Sequence, residues 1–159
     1  MDSKVIALLE EPCTTLTAEE IAKLDLPTLR LLVAKHVGFT FKTGGDCYMA
    51  VTSPCGLENK HGNDVFWEIP DYCYSMTQAW ELVKELRKED IFMGCWPAPS
   101  GYDCNPYYKK DGLYESLGPW PGQFGRLQSD FMDEEAPVVL CRWYIWSRQN
   151  LKGKTDGCQ

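Results

Sequence analysis

Apolar and polar residues alternate with different periods along this chain, and each change of period predicts an element. Met1 to Leu9 reads as a helical turn or a strand, closed by Pro12. Thr17 and Glu20 form a capping-box pattern, in which two side chains satisfy the N–H groups that a helix start leaves open, so a short helix is predicted there. Pro27 suits the first turn of a second helix. Leu29, Leu32, Val33 and His36 then follow one helical face until Gly38 supplies a stop. From Phe39 the period shortens. The runs Phe39 to Phe41, Tyr48 to Val51 and Val65 to Ile69 are rich in strand-forming residues and predict neighbouring antiparallel strands. Ser75 and Gln78 make a second capping box. Behind it Met76, Ala79, Trp80, Val83 and Leu86 recur at helical spacing, with Glu81, Glu85 and Lys88 on other faces, which places Trp80 in the core.

Ile91 to Trp96 fits another strand. Trp96 to Gly125 is so crowded with proline, glycine and aromatic residues that long loops are expected, with one more strand near Leu113 to Leu117. Pro137, preceded by Asp133, Glu134 and Glu135, fits the start of a last helix running to about Asn150, because carboxylates suit the positive end of the helix dipole. Val138 to Trp146 is apolar around most of that helix, so it should lie at the centre with Trp143 in the core. Gly153 to Gln159 has little apolar content and is expected to fray. No repeat or low-complexity linker divides the 159 residues, and one α+β domain over residues 1–159 is the expectation.

Charge narrows the possible partners. A net charge of −7 argues against a surface that holds duplex nucleic acid by its phosphates, which requires a dense lysine and arginine footprint. No stretch approaches the roughly 18 consecutive apolar residues of a membrane span, and Met1 to Leu9 lacks the pattern of a signal peptide; both point to the cytosol and away from membranes. Cys13, Cys47, Cys55, Cys73, Cys95, Cys104, Cys141 and Cys158 are therefore expected as reduced thiols. Structural zinc is the sharper alternative, yet no two cysteines have the short spacing that lets one turn present two thiolates, and no metal or cofactor is expected.

Candidate chemistry is sparse. His36, near a helix C-terminus, is adequately explained by capping, and His61 by a solvated turn. A Cys73–His61 dyad is chemically conceivable, since a nearby base produces a reactive thiolate. Asp130, Asp133, Glu134 and Glu135 fit a solvated helix entrance as well as an acid–base pair. No P-loop, GxSxG elbow or GxGxxG fingerprint is present, so no catalytic residue is assigned. What stands out is the aromatic content of the irregular stretch: Trp96, Tyr102, Tyr107, Tyr108, Tyr114, Trp120 and Phe124, interleaved with Lys109, Lys110 and Arg126. Such loops can pack on themselves, or stack a base-like ring and neutralise a phosphate.

Three segments resemble the phage ABA-sandwich domain family and the related NinX-like proteins of lambdoid phages. DLPTLRLLVAKHVGF from Asp25 is similar to the family's opening helix, IPDYCYSMTQAWELVKEL from Ile69 to its capped alanine–tryptophan helix, and APVVLCRWYIWSR from Ala136 to its closing helix with an embedded Cys-Arg pair. The resemblance implies a layered α-β-α sandwich, a small mostly antiparallel sheet with packed helices and a buried closing helix, and a phage or prophage origin. Cys95 to Gln128 is an insert relative to the shorter members, so nothing is carried over to it.

Phage accessory proteins of this size often act by binding, which makes sequestration of a nucleotide-derived signal of host defence the leading expectation. The alternatives are an inhibitor that binds a host protein through aromatic anchors, and an enzyme that degrades such signals. A ligand site is expected where the insert meets the closing helix, from Trp96, Tyr107 and Trp120 with Arg126 and Arg142. Arg142 is the one charge in an apolar helical run, so it needs a partner: a ligand, or a carboxylate such as Asp71 or Asp130. A cleft with convergent arginine or lysine would favour the small ligand, and an apolar patch without one a protein.

Overall fold

The structure, a computed structural model, describes residues 3–10, 15–44, 47–52, 69–99, 101–116 and 135–155. It is a mixture of helices and antiparallel strands. In chain order the elements are α1 (Ser3–Glu10), α2 (Ala18–Ala22), α3 (Leu26–Val37), β1 (Thr40–Gly44), β2 (Cys47–Thr52), α4 (Met76–Arg87), β3 (Ile91–Ala98), β4 (Gly101–Lys110), β5 (Leu113–Ser116) and α5 (Ala136–Thr155). β1 and β2 form an antiparallel pair, and β3, β4 and β5 a three-stranded antiparallel sheet in that order. The expected strand at Val65 to Ile69 and the tail beyond residue 155 lie outside the described residues, apart from Ile69, which is not in a strand.

Helix boundaries follow the local chemistry. Thr17 accepts from the Glu20 N–H at 3.2 Å while the Glu20 carboxylate accepts from the Thr17 N–H at 2.8 Å, completing the capping box. At α4 only half of the second box forms. Ser75 accepts from the Gln78 N–H at 3.3 Å, but the Gln78 side chain turns back to accept from the Asp71 N–H. Asp25 caps α3, with Pro27 in its first turn, and Gly38 ends it at φ 124°, a left-handed conformation that glycine adopts without a Cβ clash. Its N–H and that of Phe39 both reach the Ala34 carbonyl.

The core gathers around α5. Val138, Val139, Leu140, Cys141, Trp143, Tyr144 and Ile145 are all buried, together with Leu29, Leu32 and Val33 of α3, Leu82, Val83 and Leu86 of α4, and Ile91 and Cys104 of the sheet. A helix apolar nearly all round is stable only when covered on several sides, and α5 is packed by α2, α3, α4 and β4. Gln149 fastens the entry to α2: its Oε1 accepts from the Leu16 N–H at 2.6 Å and its Nε2 donates to the Leu16 carbonyl at 3.3 Å. Lys35 of α3 donates to the Leu8 carbonyl of α1 at 2.6 Å.

Three expectations need correction. Trp80 is not a core residue, being 40% exposed, whereas Trp143 is fully buried. Helical spacing placed both tryptophans beside apolar neighbours, but the buried stripe of α4 is Ala79, Leu82, Val83 and Leu86, and Trp80 lies at its margin. Second, the stretch read as loops contains β4, the longest strand among the described residues. Pro106 argued against a strand, yet β5 pairs only with Tyr107 to Lys110, and among the described residues no strand pairs with β4 on that side at Pro106. Alternation from the closely spaced Cys95–Cys104 pair, whose Cα atoms are 4.1 Å apart, makes Met93–Pro106 a non-hydrogen-bonded pair. The proline nitrogen therefore faces that side, where no ladder bond to a described strand is lost.

The third correction concerns the cysteines. Cys95 and Cys104 face each other across the β3–β4 hairpin and form a disulfide, while Cys73 and Cys141 are free and buried. Their partnership is invisible without the hairpin, because the intervening residues read as a loop. No helix among the described residues is long and apolar enough to cross a membrane.

Candidate functional site

Of the expected ligand residues, Tyr107 and Arg142 have described side chains. In β3 the core-facing positions are Ile91, Met93 and Cys95, and in β4 they are Cys104 and Tyr108. Side chains alternate across a strand, so Trp96 and Tyr107 occupy positions of the opposite phase, with Phe92 and Asn105. Phe92 pairs with Tyr107 and Trp96 with Asp103, so these register positions share the phase opposite to that of Cys95 and Cys104; Asn105, of that phase, is buried and Tyr107 partly so. Arg142 is on α5 and buried, near Cys73 and Cys141 and on the core side of that sheet. Trp120 and Arg126 lie outside the described residues. Asp71, a suggested partner of Arg142, pairs with Arg30 at 3.1 Å, and Asp130 lies outside the described residues.

A buried arginine that sequence reasoning passed over is Arg148. Its guanidinium meets Glu89 at 2.5 Å and lies over the Tyr144 ring, 5.2 Å from its centroid. A charge at this depth is costly without a partner, and Glu89 reaches it from the turn after α4. The only signal for it in the sequence was its place at the end of the mainly apolar run that begins at Val138. His36 is in the last turn of α3, as expected of a capping group, and His61 lies outside the described residues, so the Cys73–His61 dyad has no described geometry.

Two surface features remain around α4. The first is a cleft of about 390 Å³ lined by Val37, Tyr72, Glu81, Leu82 and Glu85. Its charged lining is acidic, although Lys84 meets Glu81 and Lys88 meets Glu85, each at 2.7 Å. Burial first, and then the neighbouring Tyr144, Cys141, Glu81 and Glu85, push the Tyr72 hydroxyl up to about 12. An anionic nucleotide finds no convergent cation among these lining residues.

The second feature is apolar. Tyr74, 63% exposed, precedes the Ser75 cap, and Met76 and Trp80, about two-fifths exposed, stand one turn apart on α4. At 100° per residue, Met76, Trp80, Lys84 and Arg87 follow one margin of the helix while Glu81 and Glu85 follow the other, beside the cleft. The turn carrying Tyr74 is held firmly. Arg30 of α3 donates from Nε to the Pro70 carbonyl at 3.0 Å and from Nη2 to the Ile69 carbonyl, and pairs with Asp71. Tyr74 and Ser75 N–H groups both bond the Asp71 carbonyl.

Among the described residues no three histidine, cysteine or acidic side chains come together in a group that could hold a metal ion. Comparisons with family models, with curated proteins and with solved structures find no match to this chain.

Proposed function

We propose that this chain acts by binding another protein through the margin of α4, with Tyr74, Met76 and Trp80 as anchors and Lys84 and Arg87 as a basic rim. The observation that carries the reading is the exposure of Trp80 and Met76 at the margin of a helix whose core-facing stripe is buried. Large apolar side chains held in water on a rigid element are what interfaces use as anchors, and aromatic residues and arginine dominate their binding energy. A partner of this chemistry offers an apolar pocket bordered by carboxylates. The resemblance to phage accessory proteins makes a host factor the natural candidate, and an α-β-α layering is the arrangement that resemblance implies.

The nucleotide-binding reading stands second. It is favoured by the shared register phase of Trp96 and Tyr107, and it loses the contribution of Arg142, which is buried on α5. One experiment separates the two. Wild type and a Tyr74→Ser, Met76→Ser, Trp80→Ser variant are immobilised and exposed to bacterial lysate, and both are titrated calorimetrically with cyclic dinucleotides and ADP-ribose derivatives. Loss with the variant of a protein that wild type retains, at equal melting temperatures and without nucleotide heat, is the expected result. Identical protein profiles together with nucleotide binding would transfer the proposal to the strand positions of Trp96 and Tyr107.

A further inference from the structure

The cleft beside α4 combines an apolar wall with a set of oxygens. Val37 and Leu82 supply the wall, and Tyr72, Glu81 and Glu85 the oxygens. Glu81 and Glu85 are four residues apart on α4, so they stand one turn above the other on the same margin. Lys84 and Lys88 each donate to one Oε1 at 2.7 Å from positions that are themselves largely in water. Exposed pairs of this kind contribute little and exchange readily. Among the described residues, the Oε2 atoms of both carboxylates accept no hydrogen bond.

Tyr72 distinguishes this cleft from a patch of surface carboxylates. It is 5% exposed and lines the cleft, yet among the described residues its hydroxyl has no hydrogen-bond partner. A tyrosine hydroxyl at that depth ordinarily finds one. Burial above all, with Glu81 and Glu85 among the smaller contributors, keeps it a neutral phenol, whose oxygen accepts as well as donates. The C-terminal end of α3 also borders the cleft, at Val37, and the last turn of a helix carries partial negative charge. Lys35 of that turn is directed away, to the Leu8 carbonyl.

We propose that this cleft binds a small organic cation, an alkylammonium whose stem packs against Val37 and Leu82 while its ammonium donates to Glu81, Glu85 and the Tyr72 hydroxyl. An ammonium has three donors and no acceptor, which suits three oxygen-bearing side chains. A hard divalent ion asks for more oxygens than two carboxylates and a phenol offer, and among the described residues no third acidic group joins them. An anion would be repelled, and a neutral ligand would cover the carboxylates without compensating their charge. The volume of about 390 Å³ is at the lower end for ligand pockets, which suits a short-chain amine. The site is on the other margin of α4 from Met76 and Trp80, so it does not depend on the protein-binding reading.

The test uses the full chain and cadaverine as the probe, with pentanediol as a neutral analogue of the same length and glutarate as an anionic one. Calorimetric titration should show saturable one-site binding of cadaverine that weakens as salt is raised, and only dilution heats with the diol and glutarate. Glu81→Gln and Glu85→Gln alter side chains that are about half exposed, so both variants fold, and each should weaken binding about tenfold. Tyr72→Phe should weaken it about fivefold at an unchanged melting temperature near neutral pH. Trp80→Ser should leave cadaverine binding as it is, so this proposal and the protein-binding reading fail separately. No saturable cadaverine binding at millimolar concentration, equal binding of the diol, or an affinity that neither the glutamine variants nor Tyr72→Phe lower would overturn the proposal.

Discussion

α4 and α5 pack against each other, yet they treat charge in opposite ways. On α4 the ion pairs Glu81–Lys84 and Glu85–Lys88 lie in water, where desolvation is small and the net gain is small. On α5 the charges of Arg142 and Arg148 are inside the protein, and each must be matched where it lies. The tryptophans divide in the same way. Trp143 is enclosed and meets Trp146 edge-on at 5.6 Å and 79°, whereas Trp80 shows two-fifths of its surface to solvent. α5 spends its apolar surface on the fold, and α4 keeps part of its own unspent on one margin. That contrast is why α4, and not the most apolar helix, is the candidate for recognition.

Mutation of the tryptophans should break or confirm the contrast most clearly. Trp143→Ala should cost about 3–5 kcal/mol in chemical denaturation, the usual penalty for deleting a buried large aromatic. A loss below about 1 kcal/mol would mean that α5 is not the centre of the core. Glu89→Gln, which leaves Arg148 without its counter-charge, should cost about 1–2 kcal/mol, reduced from the fully buried case because the carboxylate itself reaches water. An unchanged denaturation midpoint would place Arg148 in solvent. Trp80→Ala should cost about 1 kcal/mol or less, because much of its ring is already hydrated. A loss as large as that of Trp143→Ala would return Trp80 to the core and remove it from any interface.

The smallest effect concerns pH. The folded state holds the Tyr72 hydroxyl near 12 against an ordinary value of 10.0, so folded protein retains a proton that unfolded chain gives up. Its contribution to stability is complete below pH 10 and falls as pH rises toward 12. Tyr72→Phe should therefore flatten the stability–pH curve in that window and leave it unchanged at neutral pH. A parallel curve for the two proteins would show that Tyr72 titrates as it does in unfolded chain.

Local signals explain what could be read in advance. Thr17 with Glu20, Asp25 to Pro27, Gly38 and Ser75 each carry their reason within a few residues, and the helices begin and end beside them. Val138 to Ile145 announced a buried helix by composition alone. β4 was hidden because the cost of a proline depends on which side of the strand is paired, and that is decided by how far β5 extends. Cys95 with Cys104 depends on strand register, which spacing does not encode. Sequence order likewise brings the insert up to α5 but does not say on which face of the sheet a residue such as Tyr107 will stand. The exposed margin of α4 had a signal that was misread, since Met76 and Trp80 fall beside the buried stripe when the helix is drawn out at 100° per residue.

Site-specific photocrosslinking in cells tests the central claim most directly. A benzophenone amino acid replaces Met76 in one variant and Lys23, an exposed residue of the turn after α2, in another. The account predicts that irradiation joins the position-76 variant to a discrete protein partner, that the adduct disappears when Trp80→Ser is added, and that position 23 gives none. The same adducts from both positions, or none from position 76, would contradict it.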